Sequence, residues 1–511
     1  MFDLSALTIG LQNVFQWQNL LAMILGTAVG IVIGALPGFT ATMGMAMLVP
    51  LTFGMSPETS LLLLSGVYAG AIYGGGITAV LVNIPGTPAS MPTTFDGYPM
   101  AKKGEGARAL GAITTAAALG GLASAVLLLV ATPPLAALAL RFGPPELFSL
   151  ALFGLSVTSS MIGGNVLKGL IVAGLGLLLS TIGMDPIEGY PRFTFGLPSL
   201  MGGIELVPLL IGVFALPQVL EMAERQGTIA RAEKVVGRVF LSFKEIKSLA
   251  GTLVRSSIIG MIIGIVPAAG PETATFISYD YAKRWSRNKE EFGKGTIEGV
   301  VASECAGNAS TGGDIVPTIT LGVPGSGAAA IYLGALYIQG LRPGPELFTR
   351  NAGVVYTMFV GFFLINIIMY FLGLGFSRIA SNVVRMPSNI LAPLVAVLSV
   401  VGSYADGSSL SNVWVMLIGG TIAYLMQKVG FSAVPIVISL ILGPMAEANW
   451  DRSLLMSYGN LLIFITRPIS LTLLVLSVFT LAAPLFGRKG NARETAEMNH
   501  SKGDIQCEKT H

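Results

Sequence analysis

The sequence predicts an all-α, polytopic membrane protein, and three observations lead to this fold class. Of the 511 residues, 53% are hydrophobic and only 11% are charged, whereas an average soluble domain has about 25% charged residues. The chain holds 64 glycines, and small residues let helices approach one another closely in lipid. Long apolar segments also follow one another along most of the chain, more than a soluble core requires.

Net charge and reactive residues exclude several classes of protein. The net charge is +3, and the basic residues lie in short loops without forming the patch that nucleic acids require. Cys305 and Cys507 offer neither a metal-ligand spacing nor a disulfide framework. The two histidines, His500 and His511, lie in a polar C-terminal stretch. We therefore expect no enzyme activity and no cofactor. No basic residue precedes Lys102, so we also expect no cleavable signal peptide.

Two apolar segments are interrupted by similar polar, glycine-rich stretches. Asn-Ala-Ser-Thr-Gly-Gly-Asp at 308–314 leads to Val-Pro-Gly-Ser at 323–326, and Gly-Gly-Gly at 74–76 leads to Ile-Pro-Gly-Thr at 84–87. The two Pro-Gly pairs are 239 residues apart. In lipid, a broken helix is tolerated only where it is buried in protein or lines a cavity. Both stretches are therefore predicted to belong to a binding site.

The rest of the chain repeats in the same order. Breaks at 37–42 and 266–275 share a Thr-Ala-Thr triplet at an offset of 233. Later in the chain, a second matching landmark begins at Arg141 in one copy and at Arg385 in the other, at an offset of 244. A chance match of glycine-proline loops is the alternative, but the common order and slowly growing offset favour two repeats. Two repeats with broken helices at matching positions are typical of a secondary transporter.

The basic residues predict the orientation, because lysine and arginine favour the cytoplasmic side. We place the basic connector at residues 221–248 on the cytoplasmic side. Residues 96–99 (Asp-Gly-Tyr-Pro) are interpreted as a topology anchor before a cytoplasmic loop. If the first break of each repeat is a re-entrant hairpin, each repeat has five crossings and the repeats are inverted. The predicted organisation is an external interfacial segment at 1–18, repeat 1 at 19–220, the connector at 221–248, repeat 2 at 249–450, an extra C-terminal transmembrane helix at 451–486 and a disordered cytoplasmic tail at 487–511.

The breaks supply the candidate substrate site. The N-terminus of each half-helix presents unpaired N–H groups with partial positive charge, and glycines let a ligand approach the backbone. Such a site suits an anion, particularly a carboxylate, although the breaks could also serve only to bend helices for packing. The candidate substrate-binding residues are Gly38, Thr40, Ala41, Thr42, Pro85, Gly86, Thr87, Pro88, Ala89, Ser90, Thr273, Thr275, Asn308, Ser310, Thr311, Gly325 and Ser326.

Asp314 is the main candidate for binding a coupling ion. A carboxylate at the bilayer centre costs about 2.5–3.5 kcal/mol, which indicates a role in holding a sodium ion or a proton. The alternative is a helix N-cap following a break at Gly312 and Gly313. Glu272 is the second coupling candidate, and no other metal site is expected. Weaker acidic candidates are Glu205 and Glu304.

Four motifs resemble a known family. They are Ala-Leu-Pro-Gly-Phe-Thr-Ala-Thr at 35–42, Asn-Ile-Pro-Gly-Thr-Pro-Ala-Ser at 83–90, Phe-Asp-Gly-Tyr-Pro-Met-Ala-Lys-Lys-Gly at 95–104 and Gly-Asn-Ala-Ser-Thr-Gly-Gly-Asp at 307–314. Together they resemble the large membrane subunit of the tripartite tricarboxylate transporters, the TctA family, over residues 15–485. The resemblance implies a multi-pass protein of the bacterial inner membrane that imports citrate-like or other carboxylates by sodium or proton symport. It also implies two partners, a small TctB-like membrane subunit and a TctC-like periplasmic solute-binding protein.

Three alternatives remain open at this stage. The first is the large subunit of a tripartite ATP-independent dicarboxylate-type transporter. The second is an intramembrane aspartyl protease, which needs Tyr-Asp and Gly-x-Gly-Asp. Tyr279 and Asp280 supply the first motif, but residues 311–314 read Thr-Gly-Gly-Asp, with threonine where glycine is needed. The third is a passive channel, which gradient-driven accumulation of substrate would rule out.

Overall fold

The structure is a computed structural model in which a defined part of the chain is described. Three sequence predictions fall wholly or largely outside this part, namely Gly38, the landmark at Arg385 and the C-terminal tail. Most of the basic connector also lies outside it. The described residues are 4–36, 39–161, 166–185, 189–224, 237, 239–267, 269–377, 380 and 388–482.

The described first half is helical apart from one short β-hairpin. The strands β1 (Gly183–Met184) and β2 (Pro191–Arg192) pair antiparallel. Short 3₁₀ turns lie at Val49–Thr52 and Pro88–Ser90. The helices are α1 (Leu4–Val14), α2 (Trp17–Gly34), α3 (Ala41–Leu48), α4 (Pro57–Val82), α5 (Met91–Met100), α6 (Gly106–Ala139), α7 (Pro144–Met161), α8 (Val166–Ser180) and α9 (Leu206–Glu224).

The second half begins with a reciprocal capping box. The Ser242 side chain accepts the N–H of Glu245, and the Glu245 carboxylate accepts the N–H of Ser242, which satisfies two N–H groups at the start of α10. The helices are α10 (Phe243–Ile265), α11 (Gly270–Trp285), α12 (Ile297–Leu321), α13 (Gly327–Ile338), α14 (Pro345–Arg350), α15 (Ala352–Phe376), α16 (Ser388–Ala405), α17 (Leu410–Lys428), α18 (Val434–Met456), α19 (Ile463–Thr466) and α20 (Pro468–Ala482).

The predicted fold class is confirmed. Within the described residues, seven helical segments are long and apolar enough to cross a membrane, and the only strands there are β1 and β2. Helix α12 is not among the seven, because its glycines and polar side chains lower its hydropathy. It is nevertheless buried from Gly299 to Thr320.

Helices α4 and α12 form the centre of the molecule, and each has a glycine-lined neighbour. Helix α2 packs on α4, and α10 packs on α12. A Cβ on Gly34 would lie 2.1 Å from the Ala71 carbonyl oxygen, and a Cβ on Gly264 would lie 2.5 Å from the Ser310 carbonyl oxygen. Only glycine permits these approaches. Gly264 follows Gly34 by 230 residues, and Ser310 follows Ala71 by 239 residues. The two contacts therefore occupy matching positions of the two predicted repeats.

The outer helices are exchanged between the halves. Helices α7 and α8 pack on α18, while α16 and α17 pack on α9. This reciprocity fits two related units, and their inverted orientation remains a prediction. Helix α18 runs to Met456, past the predicted end of repeat 2 at residue 450. The final helix α20 starts at Pro468, later than the predicted start of the extra C-terminal helix at residue 451, because α18 continues to Met456 and residues 457–467 form turns and the short α19.

Candidate functional site

The break after α4 reverses the chain. Asn83 adopts a left-handed conformation, with φ of 59°, and ends the helix. The chain then returns along α4, and the Gly86 N–H donates to the Gly75 carbonyl (3.2 Å). A Cβ on Gly86 would lie 1.9 Å from the Gly34 carbonyl oxygen, so only glycine fits this turn.

The break after α12 has the same form. Gly322, with φ of 70°, ends the helix, and the chain returns to the level of Asp314. A Cβ on Gly325 would lie 2.3 Å from Asp314 Oδ1. The Ser326 hydroxyl then caps α13 by accepting the Ala329 N–H (3.1 Å). This break therefore places a helix N-terminus beside a carboxylate.

The sequence-based break at Gly312 and Gly313 is wrong, because α12 is continuous through both residues. A Cβ on Gly312 would lie 2.6 Å from Ser124 Oγ of α6, and a Cβ on Gly313 would lie 2.7 Å from the Met261 carbonyl oxygen of α10. These glycines therefore permit close packing of α12 between two helices. Asp314 lies inside the helix, so the interpretation as an N-cap is also wrong.

Asp314 connects the two halves of the chain. Its side chain is fully buried, and Oδ2 accepts hydrogen bonds from the Tyr68 hydroxyl (2.7 Å) and the Ser326 hydroxyl (2.5 Å). Tyr68 belongs to α4, whereas Ser326 begins α13. No lysine or arginine of the described residues pairs with Asp314. A buried carboxylate that two hydroxyl groups and the Gly325 backbone N–H contact, without a basic partner, is suited to a small cation or a proton.

The four breaks converge on one cleft. The N-termini of α3, α11 and α13 and the turn Pro88–Ser90 border it, which directs partial positive charges toward a common point. The cleft has a volume of about 10 Å³, room for roughly one water molecule, so a larger ligand requires the walls to move apart. It is lined by Thr40, Ala41, Thr42, Tyr68, Ile72, Thr87, Pro88, Pro271, Glu272, Ser326 and Ala328.

The structure brings together only part of the predicted substrate site. Ser90 and Thr275 are buried beside the cleft, where Ser90 bonds to the Thr87 hydroxyl and Thr275 donates to the Glu272 carbonyl. Three residues of α12 instead make hydrogen bonds to carbonyls of the preceding helical turn: Asn308, Ser310 and Thr311. Residues in the same four breaks that do not line the cleft are Pro85, Gly86, Ala89, Thr273 and Gly325.

The structure places two of the other acidic candidates, Glu272 and Glu205, in different surroundings. Glu272 is exposed toward the cleft and lies within electrostatic reach of Asp314. Glu205 instead precedes α9 and does not line the cleft. Burial raises the pKa of the Glu205 carboxyl, and the nearby Asp406 carboxylate raises it further.

Asp96 has a role that sequence reasoning missed. Its Oδ1 accepts the N–H groups of Gly293, Gly295 and Thr296 at 2.8–2.9 Å, and its Oδ2 accepts the Tyr279 hydroxyl at 2.8 Å. Asp96 thus joins α5 to α11 and caps the start of α12 from another helix, and it does more than mark topology. The missed signal was an acid in a largely apolar segment, which needs partners.

Tyr68 was also missed, although its hydroxyl contacts Asp314. It lies in α4 between apolar residues, and a buried tyrosine hydroxyl needs a hydrogen-bond partner. Sequence reasoning could have found this signal. The tyrosine's partner could not have been identified, because it lies 246 residues away.

Comparison with known proteins decides the family. The profile of the "Tripartite tricarboxylate transporter TctA family" matches residues 20–438. The chain belongs to this family. TctA proteins are large membrane subunits of tripartite transporters, which also contain a small membrane subunit and a periplasmic binding protein. This assignment removes the tripartite ATP-independent alternative.

Two similar proteins come from Agrobacterium vitis. The "Uncharacterized 52.8 kDa protein in TAR-I ttuC' 3'region" is 35% identical over 479 residues, covering 94% of this chain and 95% of the relative. The "Uncharacterized protein in TAR-II ttuC' 3'region" is 30% identical over 219 residues, covering 43% of this chain and 90% of the relative. No solved structure matches the chain.

The geometry also speaks against the protease alternative. An aspartyl protease needs two facing aspartates, but Asp280 pairs with Arg284 (2.7 Å) on an exposed part of α11. Asp314 instead contacts Tyr68 and Ser326.

Proposed function

We propose that this TctA chain is the translocating subunit of a binding-protein-dependent importer of tricarboxylates or related carboxylates in a bacterial inner membrane. A sodium or proton gradient drives the import. The observation that carries this proposal is the convergence of four chain breaks on one cleft beside a buried carboxylate. The small membrane subunit and the periplasmic binding protein deliver and release the substrate at the outer side.

The cleft suits an anionic substrate. Three helix N-termini and one 3₁₀ turn supply N–H groups, a common arrangement for carboxylate and phosphate binding. Hydroxyl groups add donors that can follow the orientation of the carboxylates: Thr40, Thr42, Thr87 and Ser326. No lysine or arginine lines the described cleft, so the substrate is held by dipoles and hydroxyls and can be released again.

Asp314 couples the ion to the substrate. Tyr68 and Ser326 both line the cleft and both donate to the Asp314 carboxylate. A ligand that displaces either hydroxyl changes the hydrogen bonds of this acid. A sodium ion would be held by the carboxylate with hydroxyl and backbone oxygens, and a proton would bind to the carboxylate itself. Glu272 supplies a second negative charge at the mouth of the same site.

Uptake by reconstituted protein tests this function. Proteoliposomes containing this chain and its small membrane subunit would receive labelled citrate and a panel of di- and tricarboxylates through the cognate binding protein. We expect saturable counterflow without a gradient and accumulation when a sodium or pH gradient is imposed. Equilibration without accumulation under either gradient would indicate a passive channel and contradict the proposal.

A further inference from the structure

A second buried acid lies in α12, ten residues before Asp314. The Glu304 side chain is 3% exposed, and its Oε1 accepts the Thr93 hydroxyl at 2.6 Å. Thr93 belongs to α5, which follows the break after α4. A Cβ on Gly76 of α4 would lie 2.5 Å from Oε1 and 2.9 Å from Oε2. The carboxyl group is therefore enclosed by α4, α5 and α12.

The other half of the molecule makes the matching contact without an acid. At the repeat offset of 239, Glu304 corresponds to Ser65 and Thr93 corresponds to Tyr332. The hydroxyls of Ser65 and Tyr332 are hydrogen-bonded at 3.2 Å. A neutral pair thus satisfies this contact between a central helix and the helix after a break. Packing alone does not require the acid at Glu304.

The surroundings of Glu304 contain no compensating cation. Thr93 is its one side-chain hydrogen-bond partner, and no basic residue of the described chain acts on it. Helices α6, α10 and α11, which also pack on α12, carry basic residues, but these are exposed or pair with other acids, as Arg108 does with Glu105, Arg255 with Glu298 and Arg284 with Asp280. The acidic and phenolic groups on the neighbouring elements include Tyr73 on α4, Asp96 on α5, Tyr279 on α11 and Asp314 on α12 itself. Removing a carboxylate from water without a cationic partner is costly, so the acid indicates a role in transport.

The hydroxyls beside Glu304 can serve both of its protonation states. Thr93 donates to the carboxylate, and its oxygen also lies 2.9 Å from Ser303 Oγ. Ser303 in turn donates to the Gly299 carbonyl at 3.1 Å. When Glu304 is protonated, its O–H can donate to Thr93, Thr93 can donate to Ser303, and Ser303 keeps its carbonyl. Every hydroxyl stays hydrogen-bonded in both states.

We propose that Glu304 is a proton-binding site, separate from Asp314, that loads and unloads during transport. A hydronium ion in the aqueous phase supplies the proton. One of its O–H bonds breaks as an O–H bond forms on the carboxylate, which leaves water, and the reverse transfer to water releases the proton. No electron transfer or further reactant is involved. This inference rests on the proposed transport function. It places a proton-binding site beside the break after α4, where Thr93 of α5 contacts Glu304.

Transport assays with Glu304→Gln test the proposal, and Ser65→Ala provides the matched control at the equivalent position of the other half. We expect Glu304→Gln to exchange labelled substrate by counterflow but to lose the pH dependence of exchange and accumulation driven by a pH gradient. Ser65→Ala should keep both. Accumulation by Glu304→Gln at the wild-type level under a pH gradient would overturn the proposal. Absence of counterflow in the wild type would instead overturn the proposed function.

A second measurement uses the native chain and does not depend on folding of the variant. Dicyclohexylcarbodiimide modifies protonated carboxyl groups in apolar surroundings, and peptide mass spectrometry locates the adduct. We expect labelling of Glu304 that decreases as pH rises, with no labelling of Asp96, which has four hydrogen-bond donors. An unlabelled Glu304 at every pH would overturn the proposal even if transport could not be measured.

Discussion

Helices α4 and α12 share their architecture and differ in charge. Both are buried, and each ends in a left-handed residue followed by a Pro-Gly turn that reverses the chain. Where α12 carries Asp314 and Glu304, α4 carries Gly75 and Ser65 at the 239-residue offset. At these two positions, the first half therefore carries neutral residues and the second half carries acids.

The turns at Gly86 and Gly325 show the same difference in charge between the two halves. A Cβ on Gly86 would lie 2.9 Å from Gly75 Cα, and a Cβ on Gly325 would lie 2.3 Å from Asp314 Oδ1. The same backbone turn thus covers a glycine in one half and a carboxylate in the other. Because the turn forms without an acid in the first half, the turn itself does not require Asp314. This contrast supports the proposed coupling role of the acids on α12.

The largest expected effect comes from filling the two breaks. Gly86→Val and Gly325→Val place side chains where even a Cβ lies within 2.3 Å of another atom, and both variants should lose substrate counterflow. Gly174→Val is the matched control, because no neighbouring atom lies within 4 Å of a Cβ there.

Counterflow in proteoliposomes, with protein content matched after size-exclusion chromatography, is the measurement for these variants. Retained exchange in either break variant would show that the turn tolerates displacement. Equal loss in Gly174→Val would mean that general packing, and not the breaks, explains the effect.

Tyr68→Phe should have an intermediate effect. It removes a hydrogen bond to the Asp314 carboxylate, and hydrogen bonds to charged groups contribute about 1.5–3 kcal/mol, roughly a tenfold or larger change in ion affinity. Tyr332→Phe is the control, because that hydroxyl contacts the neutral Ser65. The sodium or proton concentration for half-maximal transport is the readout. Equal shifts in both variants would contradict the distinction between the two central helices.

Asp96→Asn should change stability more than the transport mechanism. The carboxylate accepts four hydrogen bonds, and the amide can accept through one oxygen only, which we expect to cost about 1.5–3 kcal/mol. Asp280→Asn should cost less than about 1 kcal/mol, because its pair with Arg284 is exposed. Thermal unfolding in detergent compares the two. Equal melting temperatures would show that Asp96 does not hold α12.

The sequence predicted the fold class and the breaks because their signals are local. Apolar segments and Pro-Gly turns are visible without knowing what they contact. Gly312 and Gly313 misled the prediction because a Gly-Gly pair resembles a helix break. Contacts with Ser124 and Met261 instead use the missing side chains for close helix packing, and tertiary packing overrides helix propensity there.

The site was predictable only in part, for two physical reasons. Thr40, Thr42, Thr87 and Ser326 follow the breaks, so their position beside the cleft follows from local sequence. Ser310 and Thr311 lie in an unbroken helix, where serine and threonine hydroxyls bond to carbonyls of the preceding turn. The partners of Tyr68, Asp96 and Glu304 are 183–246 residues away, so a single sequence does not identify them.

The most direct test of the coupling role of α12 is uptake by Asp314→Asn with sodium and pH gradients imposed separately. Asparagine keeps the size of the side chain but removes the charge and the titration. We predict normal insertion and binding-protein docking, with no accumulation of substrate under either gradient. Accumulation at the wild-type level under both gradients would contradict the account and would assign coupling to Glu304, to Glu272 or to the backbone of the breaks.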